Sequence, residues 1–150
     1  MESAANELNL GALLPDIGFV VVMIRLGLLA MVMAGPLVLL AFGLLYKFKP
    51  PKEANYSLGY RFWWGMASLA SWTYSQQLAG TVFIFLGGAL SAVMLLASII
   101  FLFLEVMTMA MLSVLCLLIE LAAIGIACLV INIIVMKKFD KDGYRRDEIA

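Results

Sequence analysis

The chain has 150 residues, of which 65% are hydrophobic and only 13% are charged, and its mean hydropathy is +1.05. Soluble domains are nearer half apolar and a quarter charged, and a chain of this length has too little interior to bury the excess. This excludes a soluble globular enzyme and a disordered chain. Ten basic residues balance ten acidic ones, and no basic run suits nucleic acid, so we expect no direct nucleic-acid contact.

The apolar residues are concentrated in three blocks that contain only two charged residues, Arg25 and Glu120. The blocks span residues 17–46, 81–104 and 106–136. Each is longer than the roughly 20 residues that a helix needs to cross a bilayer. The sequence therefore predicts an all-α membrane protein with three transmembrane helices in a single membrane domain, residues 1–150. Because the segment before the first block is acidic, we expect that block to be a retained span and not a signal peptide.

Lysine and arginine are distributed unevenly between the predicted spans. Nine of the ten lie in the loop 47–80 or the tail 137–150, and the tenth is Arg25. The positive-inside rule places this loop and this tail in the cytoplasm and the N-terminus outside. We expect a multi-pass protein of the cell membrane with that orientation.

The loop 47–80 begins with two prolines among lysines, which favours an extended exit from the membrane. Residues 62–79 have a helix-like composition but are not hydrophobic enough to span. Their aromatic residues suit the level of the lipid headgroups, and these are Trp63, Trp64, Trp72 and Tyr74. The sequence predicts an interfacial helix on the inner leaflet, in contact with membrane lipids, that leads into the second span at Gly80.

Small residues recur four apart along the spans, which lets helices approach closely in lipid. The pairs are Ala30 and Ala34, Gly87 and Ser91, Gly88 and Ala92, and Ala123 and Ala127. These pairs are explained either by close packing of helices within one chain or by formation of a homo-oligomer, and both explanations stay open. Pro36 in the first span predicts a kink, because proline removes a helical hydrogen bond.

Two charged residues and one carboxamide lie inside the predicted spans: Arg25, Glu120 and Asn132. Counted from Lys47 and Lys137, Arg25 and Glu120 differ in depth by about 8 Å, which a kinked helix and a long arginine side chain could nearly close. One hypothesis is therefore an Arg25–Glu120 pair. The alternative is separate environments, with Arg25 reaching outward toward Asp16 and Glu120 protonated or facing a polar cavity. Asn132 is expected to form a helix–helix hydrogen bond.

The sequence contains no histidine and no nucleophile elbow, metal-ligand cluster or phosphate loop. It therefore predicts a protein that is not an enzyme, with no catalytic residues, no cofactor and no metal. One function that remains open is a small transporter or channel subunit that uses Glu120 as a proton or cation site. Three spans are few for a transport path, so this function would require an oligomer.

The loop also carries an unusual set of residues, Asn55, Gly59, Tyr60, Arg61 and Trp72. An arginine beside aromatic rings at the membrane surface can bind a lipid phosphate, stack on a ring or hold a helix end. The set is either a membrane-surface anchor that fixes the loop or a site for a ligand or partner.

With its neighbours, this set resembles the signature of the SdpI/YfhL family. The matching residues are Pro50-Pro51-Lys52, Asn55, Gly59-Tyr60-Arg61, Trp72, Gln76 and Gly80, so the resemblance covers about residues 47–80. Three positions depart from the family pattern. Phe62 stands where threonine is usual, Gly65 where serine is usual, and Ser68 where asparagine is common.

The resemblance implies a bacterial inner-membrane protein that gives immunity against a secreted, membrane-active peptide toxin. It also implies signalling, in which a small cytoplasmic repressor is held at the membrane when toxin is sensed. The matching loop residues would build the cytoplasmic platform. Toxin would arrive from outside, near the acidic residues Asp16 and Glu105.

Overall fold

The computed structural model describes residues 17–52 and 58–148, so Asp16 and Asn55 lie outside the described residues. Three long helices account for most of the chain: α1 (Ile17–Phe48), α2 (Leu69–Phe101) and α3 (Val106–Lys138). Two short 3₁₀ helices, Trp64–Met66 and Arg146–Glu148, complete the helical structure of the described residues. Each long helix is apolar and long enough to cross a membrane. The chain is thus an all-α, multi-pass membrane protein, as predicted.

The three helices form an up-down-up bundle. The four residues after α2 turn the chain directly into α3, so the two helices form a tight antiparallel hairpin; this end is called the hairpin end. The opposite end, where α1 and α3 finish in lysines and α2 begins, is called the cationic end. Helices of 32 and 33 residues measure about 50 Å, whereas the hydrocarbon core of a bilayer is about 30 Å thick. Part of each helix therefore lies outside the hydrocarbon.

The separate interfacial helix predicted over residues 62–79 is not what these residues form. Only the single turn Trp64–Met66 precedes α2, which begins at Leu69 and continues through Gly80 without a break. Ser68 starts the helix with a capping box, in which its side chain and that of Ser71 each bind the other's backbone N–H. This satisfies two of the unpaired donors at a helix N-terminus, so α2 can start well before the apolar block.

Glycines bring the α1 and α2 backbones into direct contact. A Cβ atom on Gly80 would lie 2.6 Å from the backbone nitrogen of Lys47, and one on Gly87 would lie 2.7 Å from that of Leu40. Gly80 is therefore a helix-packing contact and not the start of a helix. Of the predicted small-residue pairs, Gly87 serves packing within the chain, whereas a Cβ on Gly88 would meet nothing within 4 Å.

The apolar core has two parts. The larger part lies toward the cationic end and includes Phe83, Ile131 and the fully buried Phe139, which follows the last residue of α3. The smaller part lies toward the hairpin end around Val32 and Met109.

Candidate functional site

The loop residues that carry the family resemblance are brought together at the cationic end by Gln76. Its amide nitrogen Nε2 donates to the backbone oxygen of Tyr60 over 2.7 Å, and its Oε1 accepts from the backbone N–H of Tyr60 over 2.8 Å. Gln76 is fully buried on α2. A single side chain thus satisfies both backbone polar groups of Tyr60, as a neighbouring strand would. This fixes the loop against the helix.

Gly59 and Trp72 form the second contact of the cluster. Gly59 has φ of +118°, which an L side chain rarely adopts. A Cβ there would also lie 2.6 Å from the indole of Trp72. The Trp72 Nε1–H donates to the carbonyl oxygen of Pro51 over 2.8 Å, and the ring is fully buried. Trp72 is therefore a buried link from α2 to Pro51 and Gly59, and its ring packs inside the protein instead of facing the lipid.

The side chain of Tyr60 extends the cluster to α3. Its hydroxyl lies 2.7 Å from Oδ1 of Asn132 and 3.0 Å from the backbone oxygen of Cys128. Its ring packs edge-on against Phe83, with ring centroids 5.9 Å apart. Burial raises the pKa of the Tyr60 hydroxyl, which keeps this group a neutral donor. Asn132 thus binds a loop tyrosine, and the helix–helix bond predicted for it is replaced by this loop contact.

The chain after α3 packs against the start of α2, beside this cluster. The sequence does not predict this contact. The hydroxyl of Ser68, the cap of α2, donates to the backbone oxygen of Gly143 over 2.8 Å. Gly143 has φ of +81°, and a Cβ there would lie 2.5 Å from the Cβ of Ser68. Phe139 stacks beside Tyr74 with centroids 5.6 Å apart, and the ammonium of Lys138 lies 4.3 Å from the Tyr74 ring centre. The signal in the sequence was Gly143 in a short polar turn.

Arg61 and Trp63 face outward from the loop. Arg61 is exposed, whereas Gly59 and Tyr60 on its N-terminal side are half-buried. Trp63 is 80% exposed. It borders an open groove of about 550 Å³ with Met66, Ala67, Lys141 and Asp142. The structure therefore divides the predicted site into a buried staple, made of Gly59, Tyr60, Trp72 and Gln76, and an exposed surface around Arg61. Asn55 lies outside the described residues.

The two charged residues of the spans lie apart, so the hypothesis of an Arg25–Glu120 pair is not supported. Arg25 donates to the backbone oxygen of Leu102 over 3.0 Å, at the hairpin end. Glu120 lies against Gly35 of α1. Gly35 is ten residues along α1 from Arg25, or about 15 Å. That separation is too long for an arginine side chain to close, and no ion pair joins these two described residues. The alternative of separate environments is therefore the better description.

Among residues 17–52 and 58–148, no group of three or more His, Cys, Asp or Glu side chains could hold a metal ion. Comparisons of the chain with protein-family models, with curated proteins and with solved structures gave no match. The likeness to the SdpI/YfhL family therefore depends on the loop residues themselves.

Proposed function

We propose that this chain is a bacterial inner-membrane immunity protein of the SdpI/YfhL type, which protects its cell against a secreted, membrane-active peptide toxin. The observation that carries the proposal is the buried staple. Four of the five signature residues between positions 59 and 76, all except the exposed Arg61, meet in one cluster of reciprocal hydrogen bonds and close packing. A chance match of residue types would give no reason for mutual contact. Contact explains why these residues occur together at these spacings.

Two of the departures from the family pattern are physically linked, which further supports the kinship. A Cβ on Gly65 would lie 3.0 Å from the ring of Phe62. A large residue at position 62 therefore occupies space that a side chain at position 65 would need. The third departure, Ser68, serves as the cap of α2, and serine and asparagine are both preferred at that position. All three departures are thus consistent with the same local fold.

The proposed mechanism is binding or neutralisation within the membrane. With the cationic end in the cytoplasm, α2 and α3 meet outside at the exposed Glu105, where a cationic toxin would first encounter the protein. The staple would hold the cytoplasmic surface in one conformation, and Arg61 and Trp63 would be available there to a small repressor. Signalling to such a repressor is part of the proposal.

A toxin challenge tests the proposal. A sensitive bacterium expressing the chain is exposed to an SdpC-type peptide toxin and compared with cells expressing Arg61→Ala and Lys137→Ala. Both residues are exposed cations at the same end of the bundle, so neither substitution disturbs the staple. We expect protection by the wild type and by Lys137→Ala, and reduced protection by Arg61→Ala at equal membrane abundance. A folded wild-type protein that gives no protection would refute immunity against this toxin class.

A second candidate is a small oligomeric transporter or channel subunit. The observation that favours it is Glu120, a carboxyl that is only 2% exposed within an apolar helix, since ionisable residues inside a membrane often mark ion or proton pathways. Proteoliposomes with a pH-sensitive dye would distinguish the candidates. Flux that Glu120→Gln abolishes and Glu105→Gln leaves intact would support transport, and absence of flux would leave immunity as the function.

A further inference from the structure

Glu120 lies in the core of the bundle with one carboxyl oxygen unpaired. Its side chain points from α3 to α1, where a Cβ on Gly35 would lie 2.5 Å from Oε2. Its other oxygen, Oε1, is buried and has no hydrogen-bond partner among the described residues. Only the absence of a side chain at position 35 makes room for the carboxyl.

Two further polar groups lie at the same level of the bundle: a backbone carbonyl that loses its usual helical donor, and a hydroxyl without a partner. Pro36 has no N–H, so it cannot donate to the carbonyl of Val32, four residues earlier. Val32 is fully buried and lies one turn from Gly35. On α2, the buried Ser91 hydroxyl has no partner among the described residues. Gly87 of α2 contacts Leu40 of α1, and the two helices are antiparallel. Ser91, one turn after Gly87, therefore lies at the level of Pro36, one turn before Leu40.

Among residues 17–52 and 58–148, no cationic group lies close enough to compensate a charge on Glu120. On α3 the nearest titratable side chain is Cys116, one turn away, and on α1 the nearest is Arg25, about 15 Å along the helix from Gly35 and bound to Leu102. The apolar block 81–104 of α2 contains no charged residue. A metal cation would need several oxygen ligands, and among the described residues no group of three or more His, Cys, Asp or Glu side chains could hold one. The ligand that fits here is a proton.

We propose that Glu120 is a proton-binding site in the core of the bundle. The carboxyl is held as the neutral acid, and its O–H is available to the Val32 carbonyl, which the ring nitrogen of Pro36 cannot engage. Loss of the proton places an anion between α1 and α3 and loosens their contact, so the packing of the bundle depends on proton occupancy. The site is independent of the proposed immunity function, because it involves neither the staple nor Arg61, and it is the same group that the second candidate function would use.

Infrared difference spectroscopy of the full chain in lipid bilayers tests the proposal. The spectrum of the wild type minus that of Glu120→Gln should contain the C=O stretch of a protonated carboxylic acid at neutral pH. This band should move to lower frequency in D₂O and disappear at alkaline pH. Glu105→Gln, which changes an exposed carboxylate at the hairpin end, should keep the band.

A matched pair of glycine variants tests the position of the site. Gly35→Ala places a methyl group against the carboxyl and should shift the band, whereas a Cβ on Gly27 meets nothing within 4 Å, so Gly27→Ala should leave it unchanged. If Glu120→Gln does not fold, Glu120→Asp retains the acid and should move the band. Carboxylate bands alone at neutral pH, or an acid band that persists in Glu120→Gln, would overturn the proposal whatever the toxin challenge shows.

Discussion

Replacing Gln76 with leucine isolates the contribution of the buried staple to stability. Leucine has a similar size, so the variant leaves little cavity, but it removes both hydrogen bonds to Tyr60. A buried polar group left without a partner costs about 1–3 kcal/mol. Tyr60 is half-buried, so water can partly replace the lost partners of its N–H and carbonyl, and the variant should lower the free energy of unfolding by about 1–3 kcal/mol. The matched control is Gln77→Leu, which changes an exposed residue next to it on α2.

The assay is unfolding by SDS titration in mixed micelles, followed with a thiol-reactive dye. The two unpaired thiols, Cys116 and Cys128, are half-buried, so they react faster once the bundle opens. Gln76→Leu should unfold at a clearly lower SDS fraction than the wild type, and Gln77→Leu should unfold with the wild type. Coincident curves for the two leucine variants would refute the idea that Gln76 holds the loop.

Three further predictions concern the same cluster. Gly59→Ala combines strain at positive φ with a clash against Trp72 and should cost at least about 1–3 kcal/mol in the same titration, whereas Gly88→Ala, at a position with open space, should be nearly neutral. Burial raises the pKa of Tyr60 above its ordinary value of 10.0, so its contribution to stability is complete below that pH and is lost as the pH rises further. Thermal unfolding at stepped alkaline pH should therefore show a shallower loss for Tyr60→Phe, and equal slopes would contradict this. Gly143→Ala should release the chain after α3 from the cap of α2, and faster limited proteolysis of that segment would show it, whereas an unchanged cleavage rate would count against the contact.

Several features were predictable because they depend on composition or on local chemistry. The three spans follow from apolar runs longer than a bilayer is thick, and the short hairpin follows from the lack of polar residues near Glu105. The residues of the staple were predictable as a set, but their roles were not. Tryptophan is a residue type typical of membrane-surface anchors, and only the contact with Gly59 in the tertiary structure shows that Trp72 is buried. The sequence prediction placed the start of the second span at Gly80, where the hydropathy changes, whereas α2 begins at Leu69. The two serines that cap it are a weaker sequence signal than that change in hydropathy.

The sequence by itself determined that this protein is an all-α membrane bundle, because every apolar block must satisfy its own backbone hydrogen bonds in lipid. It also determined which end is cationic, since charge depends only on residue order. The tertiary structure decided which polar groups meet. Arg25 binds Leu102, Glu120 lies against Gly35, and Tyr60 reaches Asn132. These pairings depend on the relative depth and rotation of the helices, which are set by backbone contact at Gly80 and Gly87 and not by any property of the polar residues themselves.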